Sequence, residues 1–161
     1  MIKQNIITLK NLVGLFKNFS EDHPMLSDFG FGPTYSIGTT VQMKPSYLWL
    51  TLQPSVISVT NNTSIPTYSF TVILADKLNQ NVDIELTNGS ENSNELNIMS
   101  EMTQIAQDLV LEMGVNWSNY GILLDGEVRF SPVSDETDDK VSGIAVDFTL
   151  KCRHYNCELP N

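Results

Sequence analysis

The sequence predicts an α+β fold: a two-layer sandwich in which a mostly antiparallel sheet of about five to six strands carries two amphipathic helices on one face. Three observations predict it. Apolar residues recur every three or four positions in two separate segments, near the amino terminus and around residue 100. They alternate with a period of two in several others, most cleanly in Val141–Lys151, where Ile144, Val146, Phe148 and Leu150 share one face. Strand-like segments follow one another directly across short polar turns, which favours antiparallel pairing and leaves both helices on the same side. With no internal repeat and no linker, residues 1–161 read as a single domain.

The first helix is expected over Ile2–Phe19. Ile2, Ile6, Leu9, Val13 and Phe16 are spaced alternately by four and three, and Leu12, Leu15 and Phe19 widen the stripe. Lys3, Lys10 and Lys17 fall on the polar side. Gly14 costs a helix about 1 kcal/mol relative to Ala, so its presence predicts close approach of another element. Pro24 ends the helix by pushing the preceding residue toward extended geometry, which makes His23 a loop residue.

Asp28-Phe-Gly-Phe-Gly-Pro-Thr-Tyr35 reads as a tight turn that delivers the chain into a first strand at about residues 35–41. Asp-Phe-Gly also occurs in protein kinases, but the Gly-rich nucleotide loop and His-Arg-Asp loop of that machinery do not occur here. Residues 44–54 alternate Tyr47, Trp49 and Thr51 with Leu48, Leu50 and Leu52, apolar on both faces, as in a central strand. Val56–Thr60, a polar turn at 61–64, and a strand with Tyr68, Phe70, Val72 and Leu74 toward the core complete a hairpin or meander.

Residues 77–92 read as a polar loop with a possible edge strand at 82–86. Asn92-Ser-Asn-Glu95 has the form of a capping box, and Leu96, Met99, Met102, Ile105, Ala106, Leu109, Val110 and Met113 then mark a second helix, with Gly114 as its left-handed stop. Helical spacing makes these methionines core residues and not ligands. A closing hairpin joins residues 126–133 to 141–151, and its tip holds Asp135, Glu136, Asp138 and Asp139, four acids in five positions.

The chemistry points away from catalysis. Two His and two Cys allow few nucleophile–base pairs, and neither a phosphate-cradling Gly-x-x-x-x-Gly-Lys loop nor His-Glu-x-x-His occurs. No catalytic, cofactor-binding or metal residue is assigned. Cys152-x-His154-x-x-Cys157 offers three ligands where a structural zinc needs four, so ordinary thiols are expected. The acidic tip lacks the central Gly and closing acid of a calcium loop, which makes it a solvated contact surface. A formal net charge of −10 argues against gripping nucleic-acid phosphates, yet suits a wall past which DNA slides. No apolar run reaches the roughly 20 residues of a membrane helix, and the amino terminus has no secretory pattern, so a protein without membrane contact that stays in the cytoplasm where it is made is expected.

Phe31-Gly-Pro-Thr-Tyr35, Tyr47-Leu-Trp49, Ser93-Asn-Glu95 with Met99-Ser-Glu-Met102 and Ile105-Ala-Gln-Asp108, Asp138-Asp-Lys-Val-Ser-Gly143 and Asn156-Cys-Glu-Leu-Pro160 occur in this order along most of the chain. In that arrangement the chain resembles the small head-tail connector, neck and tail-terminator (tail-completion) proteins of tailed bacteriophages, in the form found in phages of Bacteroidetes hosts including crAss-like phages. The resemblance implies a non-catalytic virion protein, made in the host cytoplasm. It would form a homo-oligomeric six-fold or twelve-fold ring that contacts the portal and adjacent neck or tail proteins and lets DNA pass without specific binding. Asp135, Glu136, Asp138 and Asp139 would face the lumen or the next ring. The competing expectation is a small cytosolic binding or accessory protein, monomer or dimer, with an aromatic pocket under Phe29, Phe31 and Trp49.

Overall fold

The computed structural model describes residues 7–38, 40–78, 95–135 and 141–153. Among them the chain forms two α-helices and a seven-stranded mixed sheet, in the order α1 (Leu9–Asp22), β1 (Asp28–Phe31), β2 (Tyr47–Leu52), β3 (Val56–Thr60), β4 (Thr63–Lys77), α2 (Glu95–Val115), β5 (Ile122–Leu124), β6 (Arg129–Asp135) and β7 (Val141–Cys152). The α+β sandwich is as expected. The sheet is larger, however, and not purely antiparallel, because β1 runs parallel to β2.

The sheet is organised around β4 and β7, paired antiparallel from Thr67↔Lys151 to Lys77↔Val141. On the far side of β4, β2 and β3 behave as one strand: between Leu52↔Phe70 and Val56↔Thr67, residues 53–55 oppose only 68–69, a one-residue bulge. β3 then returns into β4 through Asn61 and Asn62, both at positive φ, the two-residue turn whose twist suits a hairpin. On the far side of β7, β5 and β6 likewise form one interrupted edge, broken at residues 125–128 where Gly126 has a φ of 82°.

Both helices cover one face, as the sequence predicts. Leu48, Leu50, Phe70, Val72, Leu74, Ile144, Val146, Phe148 and Leu150 bury against Leu12 and Phe16 of α1 and against Ile98, Met102, Ile105, Leu109 and Met113 of α2. Phe16 is the centre of an aromatic cluster, with ring centroids 4.8 Å from Trp117, 5.5 Å from Phe70 and 5.6 Å from Phe148. The opposite face has a smaller cluster, Tyr47, Trp49 and Ala75, roofed by Ile37 and Met43 from the connection between β1 and β2.

Several boundaries differ from expectation, each for a local reason. α1 begins at Leu9 because Thr8 caps it: the Thr8 hydroxyl accepts from the Asn11 N–H while the Asn11 side chain accepts from the Thr8 N–H, both at 3.2 Å. Ile2 and Ile6 lie outside the described residues. Among the described residues no strand forms at 35–41. The first strand is Asp28–Phe31, and a 3₁₀ turn at Thr34–Ser36 follows, with a single bridge from Ile37 to Val41. The Asp28 carboxylate accepts from the Lys44 N–H at 2.9 Å, which ties the two ends of the connection together, and Ile37 and Met43 pack over Trp49.

Among the described residues Gly14 has nothing within 4 Å of where a Cβ would stand, so none of the described elements approaches it. Nor does Gly114 stop the second helix, which continues to Val115. The left-handed residue is Gly121, closing a 3₁₀ turn at Trp117–Tyr120. Residues 82–86 and the cap at Asn92 lie outside the described residues.

Candidate functional site

The closing hairpin forms where the sequence places it, with Ile144, Val146, Phe148 and Leu150 all buried. Its acidic tip joins the carboxyl end of β6 to Val141. Asp135 is the last backbone position of β6, whereas Glu136, Asp138 and Asp139 lie outside the described residues. Val141 pairs with Lys77 at one end of β4, and the Asn61-Asn62 turn opens the other end, so the acidic connection and the β3–β4 turn belong to opposite ends of one strand. At about 3.3 Å per residue, Thr63–Lys77 separates them by roughly 45 Å.

The two ends differ in charge as well as position. From Pro45 to Ala75 the chain contains no acidic or basic residue, although the whole carries a net charge of −10. The β3–β4 ribbon, where Val56, Ile57 and Val59 are exposed, is thus itself uncharged, with Lys151 of β7 opposite Thr67 at its base, and the connection that carries the acids follows β6 at the other end of the sheet.

The expected aromatic pocket does not form. In the parallel register Phe29 is opposite Leu48 and Phe31 opposite Leu50, while Gly30 is opposite Trp49. Residues paired in this way share a face, so Phe29 and Phe31 belong to the helix side and Trp49 to the other. Trp49 is closed in, its Nε1–H donating to the Gly32 carbonyl at 3.0 Å, an acceptor shared with the Thr51 hydroxyl at 2.9 Å.

A cavity of about 510 Å³ lies elsewhere, between the carboxyl-terminal ends of α1 and α2, lined by Leu15, Phe19, His23, Glu112, Trp117 and Tyr120 among others. His23, expected to be a loop residue, closes the end of α1 and is mostly buried. Its Nδ1 accepts from the Met25 N–H at 3.2 Å, so Nε2 holds the proton and donates to Asp108 at 3.2 Å. Both ring nitrogens are therefore engaged, and neither is left to activate a nucleophile. Sequence reasoning had no signal for this pair, because Asp108 lies 85 residues away on α2.

Cys152 is a free, buried thiol at the end of β7, and burial pushes its pKa up. Burial also raises the Tyr68 phenol, with a smaller contribution from the negative charge Cys152 would carry. A raised thiol is a poor nucleophile and a poor metal ligand. His154 and Cys157 lie outside the described residues, and among the described residues no group of three His, Cys, Asp or Glu side chains could hold a metal. Nor, among them, is any helix long and apolar enough to cross a membrane. No protein-family model matches the chain, and no curated protein matches it.

Proposed function

We propose that the chain is a non-catalytic structural subunit of a tailed-bacteriophage virion, assembling as a homo-oligomeric ring at the head-tail neck or tail terminus through which DNA passes. The observation that carries this reading is the uncharged, apolar ribbon at one end of β4, while in sequence the acids at 135–139 enter the chain next to its other end. A subunit that packs beside copies of itself needs contact surface free of like charge, and a wall facing DNA needs acids that repel phosphate. The order of the quoted segments, which resembles the neck and tail-completion proteins, supplies the kind of assembly. Asp135, Glu136, Asp138 and Asp139 would face the lumen or a neighbouring ring, and the portal and adjacent neck or tail proteins are the expected partners.

The rival reading, a small cytosolic binding or accessory protein, would use the cavity lined by Phe19, Trp117 and Tyr120 in place of the expected pocket, since Phe29 and Phe31 lie across the sheet from Trp49. Light scattering after size exclusion, on the protein alone and mixed with its genomically neighbouring portal and tail proteins, tests the ring. A six-fold or twelve-fold mass is expected, and a strict monomer in every mixture sinks the proposal. Replacing Asp135, Glu136, Asp138 and Asp139 by Asn or Gln is expected to leave folding intact while impairing assembly or DNA passage. Loss of folding would make the tip structural instead.

A further inference from the structure

The β3–β4 turn extends past the rest of the sheet. Among the described residues β3 pairs only with residues 63–67 of β4, and β7 begins to pair with β4 at Thr67, so residues 56–66 form a two-stranded ribbon with no other described element on its outer sides. Every residue of β3 is exposed, Val56 by 63%, Ile57 by 69% and Val59 by 74%. A two-stranded ribbon is marginal in water without a third strand or a covering layer.

Its apolar groups continue the core. On the helix side the sheet presents Leu48, Leu50 and Phe70, and the bulge at residues 53–55 shifts the alternation by one, so that Ile57, opposite Pro66, and Val59, opposite Ser64, fall on that same side.

The free edge of β3 is also unguarded. Edge strands are ordinarily blunted by charge or proline. β6 carries Arg129 and Pro132, and the free edge of β4 in the ribbon carries Pro66, whereas Val56-Ile-Ser-Val-Thr60 has neither. Thr60 and Thr63 bracket the two-residue turn and bond to each other across it, and alternation then directs Ser58 and Val56 toward β4 as well. The backbone groups of Ile57 and Val59 are left pointing outward.

From these features we infer that β3 pairs antiparallel with β3 of a second copy of this chain, about a two-fold axis at Ser58. The segment is self-complementary about that residue. Ile57 of each copy falls opposite Val59 of the other, with their outward N–H and C=O groups exchanging bonds, and Ser58 meets its own counterpart. The β-branched pairs meet on the helix side and cover one another. Charge selects a second copy as the occupant, because two chains of net charge −10 approach most easily where neither has any, and the stretch from Pro45 to Ala75 has none. The contact does not rest on the ring reading. If both hold, it ties two rings together face to face.

Cysteine crosslinking reads the register directly. Two residues opposite each other in a non-bonded antiparallel pair have Cα atoms about 4.5 Å apart, within reach of a disulfide. Ser58→Cys is therefore expected to form a covalent dimer on mild oxidation, on the order of tenfold more than Thr60→Cys, whose counterpart is Val56. Unsubstituted protein run in parallel gives the background from the native thiols. An Ile57→Asp/Val59→Asp variant, changed only at exposed positions, is expected to stay folded by circular dichroism, with the melting temperature of the dilute monomer, while losing the dimer. Crosslinking through Ser58→Cys no greater than through Thr60→Cys, or self-association unchanged in the double variant, overturns the pairing. A ring whose mass is unchanged in the double variant, with no preferential Ser58→Cys crosslink, would leave the ring reading standing while this one falls, and a dimer lost in the double variant of a protein that never forms a ring would do the reverse.

Discussion

The six-membered ring of the Trp49 indole lies on the bare α-carbon of Gly30, so close that a Cβ built there would stand 2.3 Å from it. The ring cannot retreat easily, since its N–H is bonded to Gly32 and the Met43 sulfur is 3.1 Å from the same Cβ position. Gly30→Ala is therefore expected to destabilise by about 1–3 kcal/mol, the usual cost of overpacking. Gly14→Ala is the control, in a helix with open space around the site, and is expected to stabilise by about 0.5–1 kcal/mol. Urea denaturation of both variants checks the pair, and shifts of the same sign would contradict the packing described.

Phe16 joins both layers of the sandwich. It is fully buried on α1 and touches Phe70 of β4, Phe148 of β7 and Trp117 beyond α2. Truncation to Ala removes these contacts and leaves a cavity, at an expected cost of about 3–5 kcal/mol. Phe130→Ala, on β6 and 63% exposed, is expected to stay within about 0.5 kcal/mol. Chemical denaturation separates the two, and near-ultraviolet circular dichroism should change only for the first.

The His23–Asp108 contact joins the end of α1 to α2, but Asp108 is half exposed, so screening keeps the pair weak. A double-mutant cycle with His23→Ala and Asp108→Ala is expected to give a coupling of about 0.5–1 kcal/mol. His23→Ala should cost more than Asp108→Ala, because it also removes the acceptor for the Met25 N–H and part of the covering of Phe19. Equal costs would mean that the ring does nothing beyond meeting the carboxylate.

These contacts show what the sequence could express. Alternation identified β2, β4 and β7, and the three-and-four spacing identified both helices, since each buries one face in a pattern set by its own geometry. Features made by residues distant in sequence left no such trace. Beside the parallel pairing of β1 the Asp28 carboxylate bonds to the Lys44 N–H, and His23 bonds to Asp108, both contacts between residues far apart in sequence. The Asp-Phe-Gly-Phe-Gly segment was legible as a turn, yet only the Trp49 ring explains why Gly30 is there. The hairpin at Asn61-Asn62 was legible too. That its outer strand is wholly exposed follows from where β7 stops pairing with β4, which local pattern does not encode.

Cys152 predicts a pH dependence whose sign follows from its burial. The thiol pKa is raised in the folded chain, so the folded state holds its proton more tightly than the unfolded state does. The contribution is fully present below the unfolded pKa of about 8.5 and is lost as pH rises from there through the folded value. Tyr68, raised for the same main reason, adds a further loss at higher pH, beginning near 10. Denaturation midpoints are thus expected to fall above about pH 8.5. Cys152→Ala should flatten the first part of that fall and leave the share of the Tyr68 part that comes from burial, at the cost of a small cavity. In a Cys157→Ser background, a thiol reagent should label Cys152 only at the rate at which the chain opens. Rapid labelling of the native protein at neutral pH would show the thiol to be accessible and would remove the basis for both expectations.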